Sequence, residues 1–258
     1  LQYQPHEYDP ALLTSEMIAL EKQLDDEWSN IPPPPDVSEP VITVLTYPHW
    51  KSGTLPVSGK LSHVFPTGRT HRIRFTFIDG RTDEEMPGWV VREGRYVYGL
   101  KAWYTEHEIP VGAYLELEQG EKPGTVVIQT RGNRPRREWV RVALPVNERL
   151  TFEMRQERIT CEYDELTIIT EDNPQAVEDV RKRVEKARLS LGDLTTELFP
   201  ELAKLSPQGT VHATTLYSAV NMLRRTPPGP LMAELVSSGT YAPVGDNYWV
   251  LRVTSTDI

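Results

Sequence analysis

The sequence predicts an α+β protein in which a central antiparallel β barrel or sandwich lies between helical ends. Three observations carry this. Between Pro87 and Leu144, tryptophans, tyrosines and valines alternate with arginines between glycine and proline turns, and aromatic and β-branched residues suit a pleated surface that Gly and Pro interrupt. Before that stretch, Leu13, Met17, Leu20, Leu24 and Trp28 recur at spacings of three and four, which puts them on one helical face. Beyond Asp172 the apolar period becomes helical again.

Residues 1–40 read as an amphipathic helix and a proline-rich linker. Asp9 before Pro10 has the form of an N-cap followed by proline in the first turn, with the helix running to Trp28. The tetraproline Pro32 to Pro35 ends it as a stiff extended connector. An apolar stripe of this size needs cover from a later domain or a second subunit.

Residues 41–170 read as the central β domain. Ile73, Phe75 and Phe77 alternate with Arg72, Arg74 and Thr76, giving one apolar and one basic face before the Asp79-Gly80 turn. Further strand-like runs are Val41 to Tyr47, Val57 to Phe65, Trp89 to Leu100, Val111 to Glu118, Thr125 to Thr130, Glu138 to Leu144, Leu150 to Arg155 and Ile159 to Tyr163. A helical turn is expected around Leu100 to Thr105. Cys161 alternates with Ile159 and Tyr163 as a core residue does, and a single cysteine forms no intramolecular disulfide.

Residues 171–192 read as a connector helix. Asn173 is its cap and Pro174 its start; Val177, Val180, Val184, Ala187 and Leu191 form its seam, and Gly192 its end.

In residues 193–258 a helix from Asp193 to about Leu205 precedes an extended Thr210-Val211-His212. Helices from Thr214 to Arg225 and from about Gly229 to Ser237 follow, then Tyr241 to Val244 and Tyr248 to Arg252 across Gly245-Asp246-Asn247. Three helices and a terminal hairpin are the element order of a winged helix. The strings GTVHATTLYSAV and TYAPVGDNYWVL resemble winged-helix domains of the HARE-HTH type, associated with bacterial restriction enzymes and RNA polymerase accessory subunits. The string IPVGAYLEL, Ile109 to Leu117, resembles strands of DNA-binding pseudobarrels. These resemblances imply DNA binding, or positioning of partners on DNA, and with it a part in transcription regulation. This chain departs from a basic groove reader: residues 193–252 hold four basic and five acidic side chains, and the third helix has no Arg or Lys from Pro230 to Ser238. Arg224 and Arg225, at the preceding helix end, are candidates for phosphate contact.

The net charge of −9 resolves by region into −8 for residues 1–40, +4 for 41–145 and −5 for the remainder, so the middle of an acidic chain is mildly basic. Its strongest feature is Arg131, Arg134, Arg136, Arg137 and Arg141, opposed only by Glu138. In an extended strand Arg137, Trp139 and Arg141 share one face while Val140 and Val142 take the other. Such a face holds phosphates while the ring stacks on a base; the alternative is an indole covered by arginine stems in a cation–π sandwich.

Enzyme signatures are absent. His107-Glu108 has Val111 where a second zinc-binding histidine belongs, His6-Glu7 has Pro10, and no phosphate loop, GxGxxG, GxSxG or CxxC occurs. Asp79, Asp83, Glu84 and Glu85 read as an exposed turn rather than a cation site. No catalytic residue, metal or cofactor is therefore assigned. The chain lacks an apolar run near 20 residues and a signal pattern at its start, so a cytoplasmic protein without a membrane partner is expected. The reading is a noncatalytic DNA-binding or DNA-associated assembly protein. The alternative is a protein-interaction scaffold that engages a partner through the N-terminal helix or the winged helix, with structural arginines; a nuclease or other hydrolase stands third.

Overall fold

A computed structural model describes residues 7–29, 32 and 40–252. The fold is mixed α+β. In chain order, a 3₁₀ turn at Pro10–Leu12 leads to α1 (Ser15–Leu24), β1 (Val41–Val44), α2 (Tyr47–Ser52), β2 (Thr54–Pro56), β3 (Arg72–Asp79), β4 (Glu85–Val91) and β5 (Tyr96–Tyr98). Then come α3 (Lys101–Glu106), β6 (Tyr114–Gln119), β7 (Thr125–Thr130), β8 (Arg136–Val146), β9 (Arg149–Ile159) and β10 (Ile168–Glu171). After these come α4 (Pro174–Ala187), α5 (Leu191–Ala203), β11 (Val211–His212), α6 (Ala213–Leu223), α7 (Pro228–Ser237), β12 (Tyr241–Gly245) and β13 (Tyr248–Leu251).

Two compact units form. One takes Leu24–Glu138 with Gln156–Glu165; the other takes Leu1–Gln23, Trp139–Arg155 and Leu166–Ile258. These limits differ from a single domain over residues 41–170, because the β8–β9 hairpin contributes to both units and the N-terminal segment groups with the C-terminal elements.

The first unit is a curled, half-barrel sheet of seven strands in the order β1-β6-β7-β3-β4-β5-β2. All its pairings are antiparallel except β3 with β7. Alternation decides its faces: Phe75 and Phe77 of β3, Val90 of β4, Val97 of β5, Leu115 and Leu117 of β6, and Val126 and Ile128 of β7 enter one core with Leu45, Leu55, Trp103 and Cys161. Burying apolar area on this scale is the dominant favourable term in folding. The polar residues between them stay on the opposite face.

In the second unit, α4 starts on Asn173, whose side chain accepts from Ala176 N, and α5 starts on a Ser190–Asp193 capping box. All of α6 is buried. It holds the entry to β10 and its first residue, since Thr215 Oγ1 donates to Leu166 O at 2.7 Å and Ile168 N donates to Ser218 Oγ at 3.0 Å. Strands β11, β13 and β12 form an antiparallel sheet in that order, its hairpin turned by Asp246 and Asn247 at φ 49° and 59°. Both residue types tolerate this left-handed backbone. The 3₁₀ turn at Pro10–Leu12 packs on α7.

Several elements depart from the sequence reading, each for a local reason. The N-terminal helix does not run from Asp9 to Trp28. Asp9 caps only the 3₁₀ turn, Thr14 accepts from Met17 N to open α1, and α1 stops where Asp25 turns left-handed at φ 50°. Leu13, Met17 and Leu20 are buried as the stripe requires. The run from Val41 halts at Val44 because Pro48 favours a helical first turn. Val57 to Phe65 forms no strand: the Asp25 carboxylate accepts from Ser58 Oγ and Lys60 N, and Ser58 Oγ accepts from Leu61 N, folding the segment into turns that sink Leu61, Val64 and Phe65 into the core. Trp89 to Leu100 is two strands, broken at a turn where Arg95 sits at φ 52°. The connector helix ends at Ala187 on a left-handed Arg188, and Gly192 lies inside α5, whose capping box outweighs a glycine stop. Most of the tetraproline, Pro33 to Pro35, lies outside the described residues.

Candidate nucleic-acid interface

The arginine-rich stretch follows β7 and enters β8, and a buried clamp sets its start. The Asp79 carboxylate accepts from Trp103 Nε1 at 2.6 Å, Arg81 N at 2.7 Å and Thr82 N at 3.2 Å, and His107 Nε2 lies 3.5 Å away. Burial alone would raise its pKa, but the three N–H donors and the His107 charge hold it below the ordinary carboxylate value. Asp79 is thus the acceptor of a turn, with its lone pairs committed. The turn presents Arg81, whose guanidinium donates to Thr130 O at 2.7 Å and Gly132 O at 2.5 Å and so fixes the backbone where the arginine stretch begins. No sequence motif announces this arrangement; Asp79-Gly80 signals only a turn.

The predicted residues then separate by environment. Arg131 lies 3.3 Å from Glu116 and 3.4 Å from Glu162. Arg136 pairs with Glu138 at 2.6 Å and stands over the Tyr163 ring at 5.9 Å. Arg134 and Arg137 are exposed and have no partner among the described residues. Along β8 the burial alternates as expected, with Val140 and Val142 buried and Arg137 and Trp139 exposed. Arg141 on that face is half-buried. Trp139 is 60% exposed, so the expectation of an indole covered by arginine stems does not hold. A tryptophan is seldom left so open, because its burial is worth more than that of most side chains.

Arg72 and Arg74 are exposed on β3, likewise without partners among the described residues. Arg224 and Arg225 do not stand out as phosphate contacts but are engaged within the protein. Arg225 is 5% exposed, with Nη1 donating to Asn221 Oδ1 and Thr226 O, each at 3.2 Å. Arg224 is half-buried, donates to Leu189 O, and is held below the ordinary guanidinium pKa by burial. Both lock the end of α6, which spacing on a helix does not reveal. On α7, residues Pro228 to Ala233 and Leu235 are buried, and the Tyr8 ring closes on Gly229.

In the second unit a groove of about 320 Å³ runs between the N-terminal segment and the β12–β13 hairpin. Its charged lining residues are Glu16 and Arg252, and Arg252 Nε donates to Tyr241 O at 2.9 Å. Among the described residues no three His, Cys, Asp or Glu side chains gather as metal ligands, and no helix is long and apolar enough to cross a membrane. Cys161 is buried, and burial pushes its thiol up to about 11.

No family model, curated protein or solved structure matches this chain.

Proposed function

We propose that the protein is a noncatalytic nucleic-acid-binding or nucleic-acid-associated assembly protein that contacts DNA through the β8 ribbon. The observation that carries the reading is Trp139, open to solvent on a strand whose preceding Arg134 and Arg137 are exposed and unpaired among the described residues. Free guanidiniums suit phosphates and an open indole suits a base. In this reading α5, β11, α6, α7 and the β12–β13 hairpin make a winged helix that serves assembly rather than base reading. Support comes from α7, which offers no basic side chain and has most of its residues buried.

The test is a salt series of binding to duplex and single-stranded DNA. Arg134→Glu with Arg137→Glu should weaken binding and flatten the log–log salt slope by about 1.8 on duplex. Trp139→Ala should cost roughly 1–3 kcal/mol on single strands, with stability within about 0.5 kcal/mol because the ring is exposed. Wild-type protein that binds no DNA at low salt would replace this reading with the protein-interaction scaffold.

A further inference from the structure

The outer face of the seven-stranded sheet carries an arrangement that the β8 ribbon does not use. Cross-strand register places Arg74 opposite Trp89, and Trp89 opposite Tyr98. The next row places Arg72 opposite Val91, and Val91 opposite Tyr96. Directly opposed residues project to the same side of a sheet, and in the row between these two Val90 and Val97 enter the core with Ile73 packed against it, so both rows face outward. Trp89 and Tyr98 stack nearly parallel, with ring centroids 5.0 Å apart and 10° between planes. Both rings are half-buried, while Arg72 and Arg74 are exposed and unpaired among the described residues. At its β2 end the first row closes on Thr54, which is buried against His49 at 2.8 Å with Glu27 behind it. The open end of the stack therefore faces β3, where the arginines stand.

The acids of this face lie elsewhere. Glu85 is opposite Ile78, at the far end of β3 from Arg72, and Glu116 and Glu118 are on β6, two strands away from β3. Glu93, in the β4–β5 turn, pairs with His71 at 2.9 Å.

We propose that the outer face of β3, β4 and β5 binds single-stranded nucleic acid, with a base stacking on the open face of Trp89, which Tyr98 backs, and phosphates meeting Arg72 and Arg74. This rests on the nucleic-acid reading above and adds a second surface and a strand preference. Every base has a π-face that an aromatic platform accepts without regard to sequence, but in a duplex those faces are hidden. The two arginines stand roughly 7 Å apart along the strand, a spacing over which adjacent phosphates of an extended strand can be met in turn.

The experiment is fluorescence anisotropy of labelled oligothymidylate titrated with wild type, Arg72→Glu/Arg74→Glu, Trp89→Leu, Trp89→Phe and, separately, Arg134→Glu/Arg137→Glu, with melting curves for each. The Arg72/Arg74 pair should bind at least about tenfold more weakly, with a salt slope shallower by about 1.4 and an unchanged melting curve. Trp89→Leu should lose about tenfold and Trp89→Phe should retain most of the binding; if Trp89→Leu fails to fold, the arginine pair still decides. Unlabelled single strands should displace the probe far better than duplex, and equal displacement overturns the strand preference. An Arg72/Arg74 pair and a Trp89→Leu variant that bind like wild type, while the Arg134/Arg137 pair binds weakly, overturn this surface and leave the β8 reading standing. A wild type that binds no oligonucleotide overturns both.

Discussion

Replacing Asp79 by asparagine should unfasten the turn from which the arginine stretch is hung. The carboxylate serves three N–H donors, from Trp103, Arg81 and Thr82. An asparagine presents one acceptor oxygen and one NH₂ group, so at least one donor is left facing a donor. Trp103 is buried, and an orphaned buried donor costs about 1–3 kcal/mol; the bonds that remain lose the share owed to a charged acceptor, about 1 kcal/mol more. The expected total is roughly 2–4 kcal/mol, read as a lowered urea midpoint at unchanged m. The pH dependence carries a second signature. The folded pKa of Asp79 lies below its ordinary 3.8, so its stabilisation is complete above that value and is lost as pH falls through the folded pKa. Asp79→Asn should remove this part of the acid limb below about pH 4 and leave stability between pH 5 and 7 flat relative to wild type. Because Arg81 holds Thr130 O and Gly132 O, hydrogen exchange in residues 130–134 should quicken as well. A variant within about 0.5 kcal/mol of wild type, or one with an unaltered acid limb, would refute the clamp.

Two further outcomes are expected in the second unit. His212 caps α6 by accepting from Thr214 N at 3.0 Å, and burial, with the Arg141 charge, lowers its pKa to about 4. The unfolded chain therefore binds a proton near the ordinary 6.5 while the folded one does not; stability should decline as pH falls from about 6.5 towards 4, and His212→Asn should blunt that decline in a urea–pH series while keeping a capping oxygen. At Gly229, an added Cβ would collide with the Tyr8 hydroxyl and come within 2.7 Å of its Cζ. Gly229→Ala should dislodge Tyr8 from α7, seen as earlier proteolytic cleavage near residues 7–14, and a cleavage pattern like that of wild type would contradict the packing.

Local periodicity and its punctuation could be read from the residues alone. The alternation of Arg72, Arg74 and Thr76 with Ile73, Phe75 and Phe77, the Thr125 to Thr130 strand, the Asn173 cap and the helix order before the Gly245-Asp246-Asn247 turn were legible because each depends on residues a few positions apart. The alternation along β8, with Val140 and Val142 buried, was legible for the same reason, but that the Trp139 ring is left uncovered was not. Which polar groups met depended on how distant segments came together. Asp25 reaches 33 residues along the chain to Ser58 and turns an apparent strand into buried turns; Arg81 reaches 49 to Thr130 O; Arg225, placed on the surface by helix spacing, is buried beside Asn221. The row of Arg74, Trp89 and Tyr98 likewise exists only through strand register. Hydrogen bonds and charge pairs act over a few ångströms of space with no regard for separation in sequence, so their partners become known only when the chain is closed.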